Sequence, residues 1–165
     1  MALEWRYTYS GTDNGDPDES LGGSMSATQL SATAMNNLFD NITPDEADAG
    51  ESEYRCLVLY ANGEDYTDIS IYMNPETSSS YTQIDMALEG INPSSPTTIA
   101  NEDTAPDQTG WTETTFTHRN SSSKLEISSL SDGDKAYIWF KRTVSAGATA
   151  TSEDSGTINV DYVSI

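Results

Sequence analysis

YRCLVLY, residues 54–60, is apolar at every position except Arg55 and shows no alternation of apolar with polar side chains. A strand with one face in water alternates, because successive side chains point to opposite faces. A run that is apolar on both faces predicts a central strand with cover on two sides. It contains Cys56, the single cysteine. One cysteine excludes an intrachain disulfide and a cysteine-built zinc site, and its place in an apolar strand predicts a buried, inert thiol.

Downstream, Asn62 and Gly63 supply turn residues, and DISIYM (68–73) alternates Ile69, Ile71 and Met73 with polar neighbours. The two runs therefore read as a hairpin. TQIDMALEG (82–90) alternates Ile84, Met86 and Leu88 and reads as a half-buried strand. Residues 90–110 hold Pro93, Pro96 and Pro106 with little periodicity, which predicts a long loop. WTETTFT (111–117), KLEIS (124–128), AYIWFKR (136–142) and TINVDYV (157–163) read as further strands separated by Ser- and Gly-containing turns.

Upstream, EWRYTY (4–9) is a strand that runs into the polar loop TDNGDPDES, and Gly22-Gly23 then suggests a tight backbone turn. Residues 27–39 admit two readings. Leu30, Ala34 and Leu38 share one helical face, but Thr28, Thr33, Asn36 and Asn37 are poor helix formers, so a short helix and an ordered wrap both fit. Thr43 can cap a helical turn that opens with Pro44, carries Asp45 and Glu46 where the helix dipole favours negative charge, and ends at Gly50. One turn over 44–49 is expected. Eight candidate strands with short polar connections predict an all-β protein: one antiparallel β-sandwich or jelly-roll-like domain over 1–165. Residues 1–35 would form an N-terminal strand and wrapping segment, and 36–165 the sandwich body.

Only 35% of residues are hydrophobic and the net charge is −20, which approaches the composition of disordered chains. The clustering of apolar residues into short runs, with nine Tyr and three Trp, argues for a folded domain instead. Seven basic residues against 27 acidic ones predict repulsion from nucleic acid and anionic membranes. The opening MALEWRYTYS lacks the basic and apolar regions of a signal peptide, so none is expected.

Chemistry-bearing motifs are sparse. The single histidine, His118, sits in FTHRN at a strand end, and the chain has no nucleophile elbow, phosphate-binding glycine loop or HExxH pattern. A non-enzymatic protein without a resident cofactor is expected. Asp13, Asp16 and Asp18, with Asn14 and Glu19, gather hard oxygen ligands of the kind Ca²⁺ takes; the spacing departs from the EF-hand loop, and an exposed, self-repelling turn is the alternative. Trp5, Trp111 and Trp139 could form a sugar-stacking platform, but each lies in a run with alternating neighbours, which places at least two in the core or an interface. Arg55 is expected to pair with Asp45 or Glu46. Lys141 and Arg142 could meet an acidic partner or answer local carboxylates, and the local answer is favoured.

Four stretches together resemble small β-sandwich structural proteins of tailed-bacteriophage virions, of the capsid decoration or cement type: LGG (21–23), NNLFDNITPDEADAGESEYRCLVLY (36–60), TTIANEDTAP (97–106) and IWFKRTVSAGATA (138–150). In these motifs Phe39 anchors a turn against the sheet, Pro44 opens the helical turn, Tyr54 and Arg55 begin the central strand, and Trp139 lies in the strand of the fourth stretch. The resemblance implies a virion protein on the outer capsid surface that stabilises the lattice. Its partners would be the major capsid protein and further copies of itself, as a homotrimer, with Trp5, Arg6, Tyr7, Lys141 and Arg142 as expected contacts. A tail- or neck-associated, glycan-binding host-attachment module is the alternative. The acidic loop at 12–19 and the ending DYVSI lie outside the resemblance.

Overall fold

A computed structural model describes residues 3–32, 36–149 and 154–165. Two antiparallel sheets face one another. The larger is formed by β1 (Leu3–Tyr9), β2 (Ser24–Gln29), β3 (Glu51–Ala61), β5 (Thr82–Ile91), β6 (Thr117–His118) and β8 (Lys135–Val144), in the order β2-β1-β3-β8-β5-β6. The smaller is β7-β4-β9, from β4 (Tyr66–Met73), β7 (Leu125–Leu130) and β9 (Ile158–Ser164). A 3₁₀ turn at Pro17–Glu19 and the helix α1 (Pro44–Ala49) complete the elements.

The central-strand reading holds, and the cover on its two faces differs in kind. Leu57, Leu59 and Ala61 face the smaller sheet and pack with Ile69, Ile71, Leu125, Ile127, Ile138 and Phe140 between the layers. Tyr54, Cys56 and Val58 point the other way, with Ala87, Tyr137, Trp139 and Trp111, under a roof that includes Ile99 and Phe116 of the 92–116 loop. The long loop is thus a third layer over half of the large sheet.

Helix α1 forms where expected. Thr43 Oγ1 accepts from Glu46 N–H and Glu46 Oε2 accepts from Thr43 N–H at 2.7 Å, a reciprocal capping box. Gly50 closes the turn at φ 77°.

Two expectations fail. β3 and β4 are not a hairpin: β1 and β8 occupy both edges of β3, so the Asn62-Gly63 turn carries the chain across to the other sheet. That crossing is tied to the β7–β8 crossing by Gly63 N–H to Asp132 Oδ1 (2.7 Å), Gly133 N–H to the Ala61 carbonyl (2.8 Å) and Asp132 N–H to Asp65 Oδ1 (2.7 Å). WTETTFT is not a strand; only Thr117 joins β6, because Trp111 and Phe116 are drawn onto the large sheet's outer face. The 27–39 segment opens as the end of β2 rather than as a helix, and Thr33 and Ala34 fall outside the described residues. β1 and β2 belong to the large sheet, so residues before 36 contribute to the sandwich body itself.

Candidate functional site

The acidic loop is tied to the protein rather than left open. Asp13 Oδ1 accepts from Ser26 Oγ at 2.6 Å and Gly15 N–H at 3.2 Å, and Oδ2 accepts from Ala27 N–H at 2.8 Å. The Ser26 hydroxyl and the Ala27 amide hold the Asp13 carboxyl below its ordinary range. Asp16 caps the 3₁₀ turn by accepting from Asp18 N–H at 3.0 Å, and Asp18 lies 3.7 Å from Arg55. Among the described residues no three His, Cys, Asp or Glu side chains converge on a position for a metal ion.

Two buried cations flank Phe39. The Arg55 guanidinium lies 5.8 Å from the ring centroid and that of Arg142 5.0 Å. Arg55 is fully buried and pairs with Glu102, not with Asp45 or Glu46. The backbone explains the correction: Tyr54 N–H donates to the Glu102 carbonyl at 2.8 Å, which docks the loop against the edge of β3, while Glu46 is occupied by its own cap. Arg142 pairs with Glu53, its cross-strand neighbour, and with Asp40 at 3.2 Å. Burial pushes the Glu53 carboxyl up to about 7, against the pull of Arg142.

On the outer face, Trp139 Nε1–H donates to Glu89 Oε2 at 2.8 Å and Thr97 N–H donates to Glu89 Oε1 at 2.7 Å. Trp111 stacks on Trp139 with centroids 5.7 Å apart and donates to Thr97 Oγ1 at 3.0 Å. Both indoles are buried, so the tryptophans form no sugar-stacking platform; Trp5 meets the core edge-on at Phe140, 6.0 Å away. Cys56 is buried beside them, and burial raises its thiol well above the ordinary value.

The stretches at 21–23, 36–60, 97–106 and 138–150 converge here. Gly23 N–H donates to the Thr97 carbonyl and Ile99 N–H to that of Leu21, each at 3.0 Å, which joins the first stretch to the third. Gly22 has φ 88°, and a Cβ there would lie 2.0 Å from the Thr97 carbonyl oxygen and 2.8 Å from the Trp139 ring. Glu102 links the third stretch to Arg55 of the second, and β3 pairs with β8 of the fourth along its length. Ala148 N–H donates to the Ala47 carbonyl at 2.9 Å, returning the end of the fourth stretch to α1. Interlocking glycines, ion pairs and indoles are what these motifs encode.

Of the expected contact residues, Tyr7 and Arg142 are buried and offer almost no surface. Tyr7 OH donates to the Asn37 carbonyl at 2.7 Å, and Arg6 is paired with Glu4 at 2.5 Å. The local answer holds for Arg142; Lys141 has no ion pair among the described residues. His118 has both ring nitrogens engaged, with Glu76 at 2.7 Å and the Ile84 carbonyl at 3.1 Å. A cavity of about 460 Å³ opens between the sheets, lined by Trp5, Leu30, Phe39, Met73 and Ile158, with Asp40, Arg142 and Asp154 among its polar residues. Sequence reasoning missed this cavity and the Glu53 and Glu89 carboxylates, since no local pattern marks a carboxylate for burial. Compared with protein-family models, curated proteins and solved structures, the chain matches none.

Proposed function

We propose that the chain is a non-enzymatic structural protein of a tailed-phage virion that decorates or cements the outer capsid. The observation that carries this reading is the convergence of the four resembling stretches into one interlocked frame around β3 and β8. A likeness that includes the buried residues joining this frame is a likeness of architecture, and the role it supports is mechanical. The charge distribution agrees. Arg6, Arg55, Arg119, Lys124 and Arg142 all pair with carboxylates of this same chain, so most of the few cations are spent internally. The exterior left to solvent is strongly anionic, which opposes contact with DNA and keeps like particles apart.

Bound across joints between copies of the major capsid protein, as a homotrimer, such a rigid sandwich would stabilise the lattice by mass action, since it binds the assembled state and not the dissociated one. Cryo-electron microscopy of the native particle tests this. Density for the chain at three-fold or quasi-three-fold positions on the outer capsid is the expected result. Density confined to the tail or neck refutes it and favours the attachment role.

A further inference from the structure

The outermost strand of a sheet keeps a row of unpaired N–H and C=O groups, and proteins blunt such edges with polar side chains, charges or short strands. This sandwich has four edges: β2 and β6 on the large sheet, β7 and β9 on the small one. Three are blunted. In β2, Ala27 N–H already donates to Asp13 and Thr28 N–H to Ser26 Oγ at 2.9 Å. Strand β6 is two residues long. Strand β7 carries Glu126, Ser128 and Ser129 exposed along its length.

β9 is different. Ile158–Ser164 contains no proline and no cation, and its one charge, Asp161, is matched by Lys124 at 2.8 Å. The irregular register against β4 lies between Thr67 and Ser70, on the partner strand, so β9 itself runs straight. Tyr162 and Val163 are 45% and 53% exposed, and Ile165 beyond them 79%. Tyr162 shares the inward face of β9 with Ile158 and Val160, which pack on the core, yet it is nearly half open. Three strands lie against six, and Trp5 and Leu30 of the larger layer line the same cavity as Ile158. Among the described residues, no strand pairs with the outer side of β9.

We infer that the edge of β9, unpaired among the described residues, docks an extended segment of another polypeptide, one that alternates apolar side chains with Lys or Arg and adds as a fourth strand to the small sheet. Backbone pairing along the edge would supply affinity, and alternate side chains would enter between the layers against Tyr162, Trp5 and Leu30. Charge selects the occupant. A net charge of −20 opposes the approach of a second copy and favours a segment that carries cations. This inference rests on the sheet edges and the charge, and it holds whether or not the chain sits on a virion.

The test uses the purified full chain, isotope-labelled for NMR, and three short peptides. One alternates valine and lysine, one is the same peptide with alternate backbone nitrogens methylated, and one alternates valine and glutamate. The lysine peptide should bind and shift the amides of residues 158–164. Methylation should weaken it by at least about tenfold, as loss of two or three backbone hydrogen bonds requires, and the glutamate peptide should not bind. The inference is overturned if the lysine peptide does not bind, if methylation leaves its affinity unchanged, or if the shifts fall away from β9. Self-association of the chain through β9 would overturn it equally, since the occupant would then be a second copy.

Discussion

Lowering the pH from about 8 to about 5 sets two forces on Glu53 against each other. Its carboxyl is almost wholly enclosed, which favours the neutral form, while Arg142 beside it favours the charged one. Burial prevails, with a folded value of about 7 against an ordinary 4.5. The sign follows from proton binding. Between these two values the native state holds the Glu53 proton and the unfolded chain does not, so this group destabilises the fold above pH 7 and ceases to do so as pH falls to 4.5. The full difference corresponds to about 3 kcal/mol, or a rise in melting temperature of roughly 6–12 °C for a chain of this size. Relief of the general self-repulsion of a −20 chain acts in the same direction, but salt screens it, whereas an enclosed carboxyl is little affected. Melting curves across this range at high salt, for the protein and for Glu53→Gln, isolate the contribution, because the variant lacks the titrating group. The protein should gain stability on acidification and the variant much less. If the two curves run parallel from about pH 8 to about pH 5, Arg142 holds Glu53 in its ordinary range and the reasoning is refuted.

Phe39→Ala removes the ring between Arg55 and Arg142 and should cost about 3–5 kcal/mol in a denaturant titration; a loss below about 1 kcal/mol would make the ring peripheral. Gly22→Ala places a methyl group against the Thr97 carbonyl and Trp139 at a left-handed φ, and should destabilise by more than about 2 kcal/mol; a neutral result would mean that the loop yields without cost. Cys56 should react with a thiol reagent only at the rate of global unfolding, since its thiol is enclosed and held protonated; rapid labelling in native buffer would contradict that burial. Calcium and chelator should leave the melting temperature unchanged, because the Asp13 oxygens already accept three hydrogen bonds. A calcium-dependent rise would show that the loop rearranges to ligate.

The features legible in the sequence were those set by neighbours in the chain. Thr43, Pro44, Glu46 and Gly50 specify α1 through contacts within one turn, and the unbroken apolar run of β3 announces burial on both faces. What hid was any choice made at long range. Asn62-Gly63 serves a hairpin and an inter-sheet crossing equally well, and only β8, far along the chain, decides by occupying the edge of β3 that β4 would need. The partner of Arg55 is hidden for the same reason: Asp45 and Glu46 are near in sequence, whereas Glu102 arrives on a loop whose course depends on Tyr54 and the Gly22 turn. WTETTFT alternates like a strand, but its aromatic residues are used as a lid. Strand β2, SMSATQ, is polar and carries no strand signal; its pairing with β1 is what makes it one.

The pairing of β3 with β8 also dictates when the protein can fold. Residues 51–61 leave the ribosome well before residues 135–144, and at typical rates of synthesis the interval is roughly 4–15 s. During that time the most apolar segment of the chain lacks its principal strand partner, and for the first part of it also the 92–116 loop that roofs it. Closure is late and depends on distant pairings, the regime in which folding is slow. A polypeptide so acidic gains an advantage in that interval, because mutual repulsion keeps unfinished copies apart until the last strands arrive.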